Sequence, residues 1–396
     1  MLSVSEALAK ILALTPAMPV ETIGLDDAAG RVLLTTVTAK RDQPPFAASA
    51  MDGYAVRANE AVEGAVLTVA DEAAAGHRAL STLPTGGAIR IFTGAPIPVG
   101  ADSILIQENA TRTGHTITVR DAPPAGAFVR PAGGDFEAGF EMTAPRRLTS
   151  RDLALLAAMN VPAVGVARKP VVALIPTGDE LVLPGETPGP DQIIASNNFG
   201  LAAMLATIGA LPRQCPIARD TPDSLKASFA AAEGADLIVS LGGASVGDHD
   251  LVADVMAGEG LSLDFYKVAM RPGKPLMAGA FGPSMMIGLP GNPVSALVCG
   301  EVFLRPAIEH ALGLPGVERI RTPALLAHGL ERNGPREHYM RASVTPSATS
   351  LPEVEVFENQ DSSRLATLAR ANALVVRRPN DPALAKGEQV EIISLS

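Results

Sequence analysis

The feature that most constrains this chain is an alternation between residues 169 and 314. Short apolar runs, Val171–Ile175, Leu237–Ser240 and Met285–Gly288, are each followed by a helical segment, at Asn198–Ile208, Asp250–Met256 and Val294–Leu312. Strands alternating with helices build parallel βαβ units. Each run ends in a glycine-bearing turn with polar residues. The turns read Pro176-Thr177-Gly178-Asp179-Glu180, Gly242-Gly243-Ala244-Ser245-Val246-Gly247-Asp248-His249-Asp250 and Leu289-Pro290-Gly291-Asn292-Pro293-Val294-Ser295. In open parallel sheets ligands bind outside the carboxyl ends of the strands. Glycine lets backbone N–H groups approach a ligand, and helix N-termini attract anions. Three such turns predict a phosphate-bearing ligand held by Gly178, Gly242, Gly243, Ser245, Pro290, Asn292 and Ser295.

The flanking regions have a different texture. Met1–Thr15 reads as an amphipathic helix, with Ser3 and Glu6 as a capping box and Leu8, Ile11 and Leu12 as its stripe. A strand-like run follows at Arg31–Thr38. Gln43–Arg130 carries Gly, Pro and short alternating runs such as Ala88–Phe92 and Thr116–Arg120, a β pattern. A second helix is predicted at Thr149–Met159, capped by Thr149 and Asp152. Arg321–Ser396 returns to short strands, including Glu353–Phe357, Ala373–Arg377 and Gln389–Ser394, and reads as a small β-barrel or sandwich.

Composition narrows the function. A net charge of −10 argues against non-specific nucleic-acid binding, and the absence of Trp argues against base-stacking platforms. The two cysteines, Cys215 and Cys299, lie far apart, which predicts neither a disulfide framework nor a C-x-x-C metal site, and a reducing cytoplasm is expected. No stretch approaches the roughly 20 apolar residues of a membrane span.

Glu180 and Asp250 both follow strands of one parallel sheet, so both are expected on the same edge. Asp220 joins them if Pro216–Arg219 is another strand. Two carboxylates ~4 Å apart repel by ~4 kcal/mol at an effective dielectric of ~20. Such a cluster calls for a cation, and its oxygen ligands suit Mg²⁺, which commonly takes one or two carboxylates plus phosphate oxygens. The plainer readings are helix caps at Asp220, Asp250 and Asn292 and a solvated loop at Glu180. A basic counterpart lies in Tyr266–Pro275, where Lys267, Arg271 and Lys274 fall within eight residues and two prolines and a glycine fix the turn between Arg271 and Lys274. Lysine serves phosphate as a point charge and arginine as a bidentate donor; a solvated turn is the alternative. Ser49-Ala50-Met51-Asp52-Gly53-Tyr54-Ala55-Val56 is a dense motif that reads on its own as a turn between strands.

Ser49–Val56, Pro176–Leu181, Gly242–Asp250, Pro272–Pro275 and Gly288–Ser295 together resemble the MoeA family of molybdopterin molybdenumtransferases, to which the C-terminal domain of gephyrin belongs. The resemblance runs in order over nearly the whole chain. It implies an α/β and β multidomain fold: a MogA-like three-layer α/β domain at 169–314, a β-rich domain at 43–134, a discontinuous N-terminal helical domain at 1–42 and 135–168, and a C-terminal β-barrel at 321–396. It implies insertion of molybdenum from molybdate into adenylylated molybdopterin, with Mg²⁺-dependent release of AMP. Position by position, Asp52, Glu180, Asp220 and Asp250 match catalytic acids, the last three as metal ligands. Thr93, Lys267, Arg271, Lys274, Arg336 and Ser362 match substrate-binding positions. Arg271 stands where many members have lysine, and Asn359-Gln360-Asp361-Ser362-Ser363 replaces the glycine-serine that many members carry. The resemblance also implies a cytoplasmic homodimer whose sites draw on both subunits, with Asp52 supplied by the second chain. A MogA-type adenylyltransferase and apo-molybdoenzymes are the expected partners, with no nucleic acid and no membrane. An adenylyltransferase, a gephyrin-type scaffold and a tungsten-inserting relative are the competing readings.

Overall fold

The computed structural model describes residues 1–243 and 251–395. The predicted turn residues Ser245 and Asp250 lie outside them. The chain forms two compact units. One comprises Met1–Glu21, Gly30–Leu34 and Val166–Ser396, and the other Thr22–Ala29 and Thr35–Gly165.

The first unit contains a six-stranded sheet. Its order is Leu211–Gln214, Val171–Pro176, Leu237–Leu241, Ser284–Leu289, Pro275–Phe281, Leu261–Lys267. The first four strands run parallel and the last two antiparallel to their neighbours. Val172, Leu174, Leu237 and Val239 face one core with the helices Asn197–Ile208 and Val4–Leu14, while Ala173, Ile175 and Ile238 face a second core with Pro222–Ala230 and Leu251–Gly258. Helices on both faces make three layers, which explains why these strands read as unbroken apolar runs. Fully burying one such Leu or Ile contributes about 1.5–3 kcal/mol relative to exposure. The N-terminal helix carries the expected capping box, with Ser3 Oγ accepting from the Glu6 N–H and the Glu6 carboxylate accepting from the Ser3 N–H.

Two details of the sheet differ from expectation. The strand beside Val171–Pro176 is Leu211–Gln214 rather than Pro216–Arg219; only Ala218 bridges, to Thr177. Pro212 hid this strand, because proline is tolerated at a sheet edge and this strand is the edge. The purely parallel expectation also misses the hairpin Pro275–Phe281/Ser284–Leu289 and the strand Leu261–Lys267.

The C-terminal region of the same unit is a closed barrel. Glu337–Thr345, Glu353–Val356, Thr322–Leu326, Gln389–Ser394 and Ala373–Arg377 pair in that order, and the last returns to the first. Met270–Arg271 adds in parallel to Glu337–His338.

The second unit is β-rich, as its glycine and proline pattern predicts. Its six-stranded sheet runs Ser103–Ile106, Gly53–Val56, Gly87–Ile91, Val66–Ala73, Thr116–Val119, Ala110–Thr113. The helix Ser150–Ala158 starts at the expected box, with Thr149 accepting from the Asp152 N–H. Among the described residues no helix is long and apolar enough to cross a membrane.

Candidate active site

The sheet order places Val171–Pro176 between Leu211–Gln214 and Leu237–Leu241, so the chain leaves this strand in one direction and later returns on its other side. That is a topological switch point, where open α/β sheets bind ligands. A cavity of about 940 Å³ opens there. It is lined by Thr177, Gly178 and Glu180 from the first turn, Gly242 and Gly243 from the second, Pro290, Gly291 and Asn292 from the third, and Asp220. The structure therefore brings three sequence-predicted turns and two predicted carboxylates to one cavity.

Gly178 has φ 142°, and a Cβ there would lie 2.3 Å from Glu180 Oε2, so the carboxylate occupies the space a side chain would need. Gly242 has φ 104°, and its Cβ would lie 2.7 Å from the Thr177 carbonyl oxygen. The expectation that both amides face a ligand is overturned, because Gly178 N–H donates to Ala218 O (3.0 Å) and Gly242 N–H to Leu289 O (3.1 Å). Their glycines serve close backbone approach. Among the described residues, amides without an acceptor at the cavity are found in the turns at Gly243 and Gly291 and at the start of the helix Asn197–Ile208. Its N-cap Ser196 makes no side-chain cap bond, its first turn has no acid, and the N–H groups of Asn197 and Asn198 have no acceptor among the described residues. Both residues line the cavity. Such a terminus favours an oxyanion. Sequence reasoning missed it; the polar run Ser196-Asn197-Asn198 before an apolar helix was the available signal.

The plain capping readings fail at two positions. The helix Pro222–Ala230 is capped by Thr221, which leaves Asp220 free. Asn292 precedes Pro293 at a helix start but makes no cap bond; its amide donates instead to Ser362 Oγ at 3.0 Å. The barrel loop thus joins the cavity rim, and its Ser363 and Leu365 line the wall. Arg341, 1% exposed, holds that loop by donating to the carbonyls of Asn359, Asp361 and Arg364. Ser295 is 4% exposed and does not line the cavity.

The side chains of Glu180 and Asp220 have no hydrogen-bond or ion-pair partner among the described residues. Two exposed carboxylates that offer oxygen ligands and form no direct ion pair among the described residues fit a hard divalent cation. No group of three or more His, Cys, Asp and Glu able to hold a metal occurs among the described residues. Any remaining ligands would therefore come from substrate, water or the residues outside the described set.

Of the predicted cations, Arg271 and Arg336 come together, outside the cavity lining. Arg271 pairs in register with His338, and Arg336 donates to Met270 O at 3.4 Å. Burial, then Arg271, Arg336, Arg341 and Arg377, push the His338 pKa down to about 4. Burial, aided by this arginine-rich edge, keeps His338 neutral. Lys267 is exposed, with Nζ 5.4 Å from the Tyr266 ring centre, and neither it nor Lys274 lines the cavity.

In the second unit Asp52 and Thr93 come together. The Asp52 carboxylate accepts from Thr93 N–H and Oγ1–H, both at 2.8 Å, and these bonds hold its pKa below the usual range, with a smaller contribution from Arg90. Arg90, which sequence reasoning also missed, donates to Gly53 O at 3.1 Å and to Gln107 Oε1 at 3.0 Å. Its guanidinium sits over the rings of Phe92 (4.6 Å) and Tyr54 (5.2 Å).

Family models match nearly the whole length: MoeA N-terminal region (domain I and II) at residues 2–160, a probable molybdopterin binding domain at 173–310, and MoeA C-terminal region (domain IV) at 323–395. A molybdopterin molybdenumtransferase of Nostoc sp. is 35% identical over 95% of this chain and 88% of its own. Molybdopterin molybdenumtransferase 2 of Mycobacterium tuberculosis is 34% identical over 95% of both chains. Solved structures of the molybdopterin biosynthesis protein MoeA from Pyrococcus horikoshii superpose with TM-scores of 0.85, at 28% and 25% identity, covering 100% of this chain and 99% and 100% of theirs. By length, order and similarity of its matched regions, the chain belongs to the MoeA family.

Proposed function

We propose that this protein is a molybdopterin molybdenumtransferase of molybdenum cofactor biosynthesis, which inserts molybdenum from molybdate into adenylylated molybdopterin with release of AMP. The observation that carries this reading is the switch-point cavity, where a helix N-terminus without a side-chain cap stands together with two carboxylates that have no partner among the described residues. The amides of Asn197 and Asn198 and the dipole of their helix would hold a phosphate oxyanion. Thr177, Gly178 and Gly242 let the backbone close on the ligand. Asn292 and Ser362 would fix the orientation of the pterin against the barrel loop. Glu180 and Asp220, with Asp250, would hold Mg²⁺, which polarises phosphoryl oxygens when bound. Arg271 and Arg336, with Lys267 and Lys274, would hold molybdate, a tetrahedral dianion suited to arginine and lysine donors. No side chain is required as nucleophile.

In the same reading the active protein is a cytoplasmic homodimer in which Asp52 and Thr93 of one copy complete the site of the other. A MogA-type adenylyltransferase supplies the substrate and apo-molybdoenzymes receive the product.

The test is AMP release from adenylylated molybdopterin, with and without molybdate and Mg²⁺. Release that needs both, and that disappears in Glu180→Ala, supports the reading. Release independent of molybdate sinks it, and ATP-dependent adenylylation of molybdopterin would point to the adenylyltransferase instead. Tungstate in place of molybdate measures metal choice.

A further inference from the structure

We propose that Arg219 is a positioning residue that fixes the backbone on which Glu180 and Asp220 stand, and thereby sets the affinity of the cavity for a divalent cation. The proposal rests on the reading of these two carboxylates as the cation site.

Arg219 immediately precedes Asp220, and its side chain reaches back to the turn that carries Glu180. Its Nη1 donates to the carbonyls of Gly178 (3.2 Å), Asp179 (3.0 Å) and Leu181 (2.9 Å). The remaining carbonyl of the turn, that of Glu180, accepts from Ile193 N–H at 2.7 Å. The carbonyls of four consecutive residues are therefore engaged, three of them by one guanidinium. The other side of the link is closed as well. Asp220 N–H donates to Asp179 Oδ1 at 3.0 Å, and Arg219 N–H donates to Ser224 Oγ at 2.9 Å, in the first turn of the helix Pro222–Ala230. The Glu180 turn, Asp220 and that helix start form one hydrogen-bonded unit around Arg219.

Among the described residues the carboxylates of Glu180 and Asp220 have no hydrogen-bond partner, whereas the backbone that carries them is held. Both carboxylates project into the same cavity lining. Like charges on a loose turn relax apart, and a cation must then bear the free energy of gathering them. A turn with all its carbonyls tied cannot relax in that way, so the ligands are preorganised. Arginine suits the task because its guanidinium reaches one bond further than the ammonium of lysine and is less strongly hydrated.

The experiment titrates Mn²⁺ into the full chain without substrate, followed by the paramagnetic resonance of free Mn²⁺. It compares the wild type, Arg219→Ala, Arg219→Lys and, as a protein lacking one ligand, Glu180→Gln. The expected result for Arg219→Ala is weaker Mn²⁺ binding by roughly tenfold or more, the range for residues that orient metal ligands. The same factor should appear in the Mg²⁺ concentration that half-saturates AMP release. At saturating cation KM for the adenylylated pterin should change by less than about threefold, since substrate contacts are untouched. Arg219→Lys should fall between the two. Thermal unfolding without cation checks that the variants are folded; if Arg219→Ala is not, Arg219→Lys is read in the same titration. Wild-type Mn²⁺ affinity in the folded Arg219 variant overturns the positioning role while leaving the cation site standing. Wild-type protein that binds no Mn²⁺ overturns the cation site itself.

Discussion

Asp52 and the pair Glu180/Asp220 are acidic features of the same chain in opposite states. Asp52 arrives satisfied: two Thr93 donors hold its carboxylate, and Arg90 ties the adjacent Gly53 carbonyl. At Glu180 and Asp220 the backbone is tied instead, and the carboxylates have no donor among the described residues. A carboxylate that accepts strong hydrogen bonds in the free protein is already stable as an anion. A pair left without donors keeps its full demand for a counter-charge. On the proposed reading, the difference separates an anion placed for orientation from a site that a cation would complete.

The largest expected effect breaks the unpartnered side. Glu180→Ala or Asp220→Ala should lower kcat/KM for AMP release by roughly 100-fold or more, the scale on which charge stabilisation at phosphoryl oxygens operates. Raised Mg²⁺ should recover part of the loss. Loss that no Mg²⁺ concentration changes would mean the carboxylates do not act through a cation. Gly178→Ala comes next. The new methyl would occupy the space of Glu180 Oε2 at a backbone φ of 142°, so the carboxylate must swing away. A fall in kcat of about 10- to 100-fold is expected, with KM for adenylylated molybdopterin nearly kept. A variant with wild-type kcat would show that the folded-back Glu180 conformation is irrelevant to turnover.

How much of this was legible beforehand follows from the range of the interactions. The layers of the α/β unit and the three turns could be read because apolar periodicity and glycine are local signals. Glu180 could be read because it closes a glycine turn, whereas Asp220 was expected from a strand at Pro216–Arg219 that does not form. What holds them could not be read. Arg219 acts on residues about forty positions upstream, and Arg341 holds a loop about twenty positions away. A lone arginine in a polar stretch carries no pattern that names its acceptors. The edge strand Leu211–Gln214 was concealed by its own proline. The uncapped start of the helix Asn197–Ile208 was hidden for the opposite reason: Ser-Asn-Asn reads as a good cap, and only the structure shows that no cap bond forms.

Arg90→Ala tests the satisfied side at one remove. It removes the donor to Gly53 O and the guanidinium packed over Tyr54 and Phe92, and should lower kcat by about tenfold. Arg90→Lys, which keeps the charge but loses the planar stack, should recover only part. Full recovery would show that charge alone matters there.

The smallest effect is the most specific. Thr93→Val keeps the Thr93 N–H bond to Asp52 and deletes the hydroxyl bond. Asp52 has a pKa lowered mainly by these two bonds, so it remains ionised further into the acid range than an ordinary carboxylate. Removing one bond must raise that pKa. If turnover needs ionised Asp52, the acid limb of the kcat/KM profile should move to higher pH, with a loss of only a few-fold at neutral pH, where the group is ionised in both proteins. The Glu180 and Asp220 side chains receive no bond from Thr93, so a shifted limb assigns the titration to Asp52. An unmoved limb means that Thr93 and Asp52 serve the local turn alone, and the contrast between the two acidic features is then one of structure rather than of chemistry.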